Sequence, residues 1–148
     1  MPSTYLSLHY HLIFSAKERR DLIAEAWRER SQAYLGGTVR PVGGVPEAIG
    51  GTANHVHVLV GLRATHCLAD VLREIKRSSS QWVHESLGLT EFAWQEGYGA
   101  FTVSASGVAA VKRYILRQQE HHRKRTFQEE YVEFLRRSGV EYNERYLW

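Results

Sequence analysis

Asn54-His55-Val56-His57-Val58-Leu59-Val60 is the stretch on which the reading of this chain turns. Side chains on a strand alternate between its two faces. Val56, Val58 and Val60 share one face, and His55, His57 and Leu59 share the other. The β-branched valine face suits burial against a core. The opposite face carries two imidazoles roughly 6.5–7 Å apart along the backbone. Such a pair is either two polar residues on a half-solvated surface or two converging ligands of one metal ion.

Working outward, Gly51-Thr52-Ala53-Asn54 reads as a turn that joins the histidine strand to a short strand at Val45 to Gly50, as a hairpin. Tyr5 to Phe14 alternates and reads as an earlier strand, with Tyr5, His9, His11 and Ile13 on one face. A helix is predicted from Lys17 to Leu35, with Ile23, Ala26, Trp27, Arg30 and Tyr34 on one side and Gly36-Gly37 as its stop. A second helix follows Thr65, its expected N-cap, and runs to about Leu87 through Leu68, Val71, Leu72, Ile75, Trp82 and Val83, before Gly88. Ala100 to Ser104 reads as a strand, and Ser104 or Ser106 as the cap of a helix from Val108 to about His122. Thr126-Phe127-Gln128-Glu129 is a capping box opening a last helix, with Phe127, Tyr131, Phe134 and Leu135 inward and Ser138-Gly139 at its end. The aromatic tail Glu141 to Trp148 is expected to dock.

The order β-α-β-β-α-β, followed by helices, predicts an α+β fold: a ferredoxin-like, RRM-like antiparallel sheet with helices on one face plus C-terminal helices. The first and third strands then lie side by side in the middle of the sheet, which brings His11 toward His55 and His57. The 148 residues are expected to form a single domain, residues 1–148, with a sizeable core.

The single cysteine, Cys67, allows no intramolecular disulfide and gives no support to a thiolate zinc site. The N-terminus lacks a signal-peptide pattern, and no apolar run approaches the ~20 residues of a membrane span. The expected setting is the cytoplasm, with no membrane partner. Lys and Arg outnumber Asp and Glu by 19 to 16, a mild excess. Its distribution says more. Lys112, Arg113, Arg117, Arg123, Lys124 and Arg125 cluster with His121 and His122, and Arg73, Lys76 and Arg77 form a second group. Each is either a solvated helix face or a surface for a phosphate backbone.

On a helix from Val108, Tyr114 and Gln118 stand about 40° apart on the flank of the apolar side, with His121 nearby. A protonated phenol, with a pKa near 10, is a poor nucleophile. A divalent ion at a phosphodiester is one remedy. Two imidazoles and the Gln118 amide oxygen would make a permissive nitrogen and oxygen set, compatible with Mg²⁺ or Mn²⁺ and not excluding Zn²⁺.

The His-hydrophobic-His strand followed by a helix bearing Tyr-x-x-x-Gln resembles the single-tyrosine HUH transposases of small insertion sequences, including those associated with repetitive extragenic palindromes. The resemblance extends through Tyr10 to Lys17, Asn54 to Val60, Trp94 to Phe101 and Tyr114 to Gln118, in family order. It implies that Tyr114 is the nucleophile on single-stranded DNA, leaving a 5′-phosphotyrosine bond and a free 3′-hydroxyl. His55 and His57 would hold Mg²⁺ or Mn²⁺ with Gln118 as third ligand, without an organic cofactor. Apart from the resemblance, His11, by strand adjacency, and His121, by its place on the helix flank, are candidates to support these ligands. The family further implies a homodimer that binds DNA hairpins, a task assigned to Lys76, Arg77, Arg113 and Arg117. Two other readings stay open: a non-catalytic protein that grips structured nucleic acid, and a metal-dependent phosphodiesterase that forms no covalent adduct.

Overall fold

The computed structural model describes residues 3–147. Four strands, β1 (His9–Ser15), β2 (Val45–Gly51), β3 (His55–Gly61) and β4 (Gly99–Val103), form one antiparallel sheet in the order β2-β3-β1-β4. The predicted ferredoxin-like order therefore holds, with the first and third strands central. Directly opposed residues share a face, so the pairs His11↔Leu59, Ile13↔His57 and Ser15↔His55 put both histidine strands on one side.

Helices α1 (Glu25–Val39) and α2 (Leu68–Ser86) cover the valine side. Val56, Val58 and Val60 pack there with Leu12 and Phe14 from β1, Trp27 and Leu35 from α1, and Leu72 and Ile75 from α2. Burial of each such side chain contributes about 1.5–3 kcal/mol. The histidine side is not half-solvated. Helices α3 (Val108–Leu116), α4 (Gln118–His121) and α5 (Phe127–Arg137) fold back over it. They make two small apolar clusters there, Ala48, Leu59 and Ile115 in one, and Ile13, Phe127, Tyr131 and Leu135 in the other.

Several boundaries depart from the sequence reading. β1 begins at His9, leaving Tyr5 and Leu6 exposed. The first helix begins at Glu25, because Glu18 and Arg19 adopt positive φ and break any helix there. The segment instead ties to the hairpin through Ala16 N–H to Asn54 O and Ile23 N–H to Ala53 O. Gly36 and Gly37 lie inside α1, and the absence of a side chain at Gly36 lets Ile49 of β2 approach. The buried face of α1 is accordingly Trp27, Ser31, Leu35, Thr38 and Val39, with Ala26 and Arg30 exposed. Cys67, not Thr65, occupies the α2 N-cap, and Gly107 rather than either serine occupies that of α3. The helix expected from Val108 to His122 is broken at Arg117, whose φ and ψ are −106° and 21°. The Thr126 capping box is present as predicted. In the tail, Tyr142 and Leu147 pack on the α5 cluster and Tyr146 is exposed, while Trp148 lies outside the described residues. No helix among the described residues is long and apolar enough to cross a membrane.

Candidate active site and metal centre

Between the two apolar clusters of the histidine face runs a buried polar seam. His55 and His57 have no exposed surface, and His11, Gln118 and Glu130 are nearly as buried. Each imidazole is anchored from behind. His57 Nδ1 meets His11 Nε2 at 2.7 Å, and His55 Nδ1 meets Asn54 Oδ1 at 2.9 Å and Thr52 Oγ1 at 3.1 Å. Their Nε2 atoms face away from the strand, toward α4 and α5.

The break at Arg117 decides what they face. After it, Gln118 turns fully inward, and its Oε1 lies 3.0 Å from His55 Nε2 and 3.0 Å from His122 Nε2. The Gln118 amide nitrogen donates to Glu130 Oε2 at 3.2 Å, which fixes the amide orientation. Glu130 stands at the centre. Its Oε1 lies 3.0 Å from His57 Nε2, 3.2 Å from His122 Nε2 and 3.6 Å from His55 Nε2. The Tyr114 hydroxyl donates to Glu130 Oε2 and lies 3.3 Å from His121 Nε2. The Tyr114 ring is 5.9 Å from that of His57 and 6.4 Å from that of His11. Tyr114 thus meets the histidines of its own chain.

The electrostatics follow from this burial. Desolvation, reinforced by the neighbouring His57, pulls the pKa of His11 and of His55 down to about 3, so both are neutral at pH 7. Burial alone would raise the Glu130 carboxyl, but bonds from His122, His57 and Tyr114 outweigh it and hold the group well below the usual carboxylate range. Burial, followed by the bond to that carboxylate, pushes the Tyr114 phenol well above its ordinary value. The phenol is protonated, and an ionised carboxylate already accepts its hydrogen.

The structure brings together Tyr114, His55, His57, Gln118, His11 and His121. The sequence reading missed Glu130 and His122. Glu130 follows Gln128-Glu129 in an acidic run, yet it falls within the inward stripe of Phe127, Tyr131, Phe134 and Leu135. His122 was counted only as part of a charge run. With His55 and His57 these two form a group whose ligand atoms lie within 4.8 Å of one another, a set that can hold a metal ion.

The basic residues divide between the two sides of the sheet. Arg113 and Arg117 line a cleft of about 520 Å³ with Tyr114, His121, Lys124 and Arg125. Lys76 and Arg77 sit on α2, across the sheet. The Lys76 ammonium donates to the carbonyl oxygens of Gln95 and Gly97 at 2.9 and 2.6 Å, and burial lowers its pKa to about 8. It ties down the loop after Phe92. Arg77 pairs with Glu74 at the surface.

A family model described as "Transposase IS200 like" matches residues 4–118. No curated protein matches the chain. Among solved structures, a protein from Deinococcus radiodurans R1 provisionally named a transposase is 21% identical over 78% of this chain and 93% of its own, with a TM-score of 0.64. A REP-associated tyrosine transposase bound to a REP hairpin is 15% identical over 78% of this chain and 68% of its own, with a TM-score of 0.56. At these identities both likenesses speak to the fold.

Proposed function

Because this chain belongs to the IS200-like transposase family, we propose that it cleaves and rejoins single-stranded DNA through a covalent bond between Tyr114 and a 5′ phosphate. The reading is carried by one observation: the Tyr114 hydroxyl borders the histidine seam and already donates to a buried carboxylate. In the proposed reaction Glu130 accepts the phenolic proton. The Tyr114 oxygen attacks phosphorus, the P–O3′ bond breaks, and the departing 3′ oxygen takes a proton. The bond formed retains the phosphoester energy, so a second 3′-hydroxyl can displace Tyr114 and join new ends.

His55, His57 and Gln118 supply two imidazole nitrogens and an amide oxygen, a set that fits a divalent ion. Mg²⁺ or Mn²⁺ held there would polarise the scissile phosphate and stabilise charge on its non-bridging oxygens. The imidazoles are buried, so a phosphate reaches them only when Glu130 and α5 yield. Arg113 and Arg117 flank the approach to Tyr114 and suit the backbone of the entering strand. A DNA hairpin as partner is supported by the REP-bound relative. Lys76 and Arg77, on the far side, serve a hairpin only if it wraps the sheet edge. A homodimer, a single catalytic domain and a cytoplasmic setting complete the proposal.

The test is a denaturing gel after incubation with single-stranded hairpin DNA and Mg²⁺ or Mn²⁺. Wild type is expected to give a protein–DNA adduct that Tyr114→Phe does not. Cleavage without an adduct would point to a phosphodiesterase. Tight hairpin binding with no cleavage would point to a non-catalytic binder, a reading favoured by the complete burial of His55 and His57.

A further inference from the structure

We propose that His122 and Glu130 join His55 and His57 as a four-donor metal clasp that prefers Zn²⁺-type ions to Mg²⁺ and pins the C-terminal helices to the sheet. The proposal rests on the reading that the histidine strand holds a metal; it describes the closed state, before Glu130 and α5 yield to a phosphate, and adds two donors, a preference among ions and a role in holding the fold together.

The donor geometry is the first argument. Donors at 2.0–2.1 Å around a tetrahedral zinc ion stand roughly 3.3 Å apart. The Glu130 Oε1 atom lies 3.0, 3.2 and 3.6 Å from the Nε2 atoms of His57, His122 and His55. The Gln118 Oε1 atom, 3.0 Å from two of these imidazoles, stays within reach as a fifth donor.

The orientation of the rings is the second. All three present Nε2 to the centre, and all three have Nδ1 engaged behind, by His11, by Asn54 and, for His122, by the Arg125 carbonyl at 2.8 Å. Tethered imidazoles of this kind are what metal ligands require. The Arg125 carbonyl can only accept, so His122 donates through Nδ1. That leaves Nε2 turned toward the Gln118 and Glu130 oxygens, where a bound cation would be shared by all three.

The donor types are the third. Three imidazole nitrogens and one carboxylate suit Zn²⁺ and its transition-metal neighbours. Mg²⁺ takes oxygen ligands and keeps its waters. The donors also come from separate parts of the chain: two from β3, and two that bracket the 123–126 turn between α4 and α5. An ion bound by all four ties these segments together.

The test uses the full chain. Binding of ZnCl₂ and of MgCl₂ is measured by calorimetry, CoCl₂ is added in place of zinc to record its visible spectrum, and melting is followed with and without Zn²⁺. One Zn²⁺ per chain, about 100-fold tighter than Mg²⁺, is expected. Co²⁺ should give the intense bands of a four- or five-coordinate ion, and Zn²⁺ should raise Tm and protect residues 117–137 from proteolysis. His122→Ala and Glu130→Gln should each weaken Zn²⁺ binding by about tenfold or more. Equal affinity for the two ions, or a weak six-coordinate Co²⁺ spectrum in wild type, overturns the proposal even if neither variant folds. Zn²⁺ binding that His57→Ala abolishes and the other two variants leave unchanged removes the clasp but keeps the metal reading. No binding of any of the three ions by wild type defeats both.

Discussion

Acidification between pH 7 and pH 5, in EDTA, should markedly destabilise this protein well before its carboxylates titrate. His11 and His55 are buried and neutral in the folded state, with pKa values of about 3 against 6.5 in the free side chain. The unfolded chain therefore binds protons first as the pH falls. The stability contributed by holding each imidazole neutral is intact above about pH 6.5 and is lost progressively as the pH drops toward 3. Each imidazole then costs about 1.4 kcal/mol per pH unit below 6.5. Between pH 7 and pH 5 the loss is about 2 kcal/mol per group and about 4 kcal/mol together. That is a large share of the 5–15 kcal/mol typical of a domain. Glu130 does not add to it in this window, because a carboxylate with a depressed folded pKa withdraws its stability only below about pH 4.5. With a urea slope near 2 kcal/mol per M, the unfolding midpoint should fall by about 2 M. Replacing His11 with Gln should remove about half of the dependence. A midpoint that stays level between pH 7 and pH 5 would show that both rings are already charged when folded. The neutral, Nε2-inward seam described above would then be wrong.

Other perturbations probe the same site from different directions. His57→Ala should abolish adduct formation and also lower stability by about 3 kcal/mol, because Glu130 and His11 lose a buried partner, as read by thermal melting. Arg113→Ala and Arg117→Ala should each weaken single-stranded DNA binding across all sequences and reduce the slope of log K against log salt by about 0.7, measured by fluorescence anisotropy. Gly50→Ala should destabilise by about 3 kcal/mol and depress cleavage, since a Cβ there would lie 2.1 Å from the Ile115 carbonyl oxygen and push α3, with Tyr114, off the sheet. Normal melting and normal cleavage by that variant would mean that α3 is free to reseat.

The strand pairing, the capping box at Thr126 and the meeting of His11 with His57 were legible because each follows from a local rule: alternation, a four-residue cap, or the adjacency that the strand order forces. What the sequence concealed depended on tertiary choices. Gly36-Gly37 reads as a stop, yet neither adopts a positive φ and α1 continues through both, with Gly36 where the Ile49 side chain crosses. The run from Val108 to His122 reads as one helix, and nothing local foretells that Arg117 leaves it so that Gln118 can turn under the histidines. Glu130 looked like one more surface acid in Gln128-Glu129-Glu130. Only its spacing from Phe127 and Phe134 put it on the inward stripe. A carboxylate there is tolerable only because imidazoles from another part of the chain meet it.

Strand β3 is enclosed on both sides, valines under α1 and α2, imidazoles under α3 to α5. Sliding it by one residue against its neighbours would drive two imidazoles into hydrocarbon and leave Glu130 facing isopropyl groups. Correct alignment is thus proofread twice, once by each layer, and a misaligned hairpin gains nothing from either. In this molecule the register that completes the native fold is the same one that aligns the proposed reactive centre.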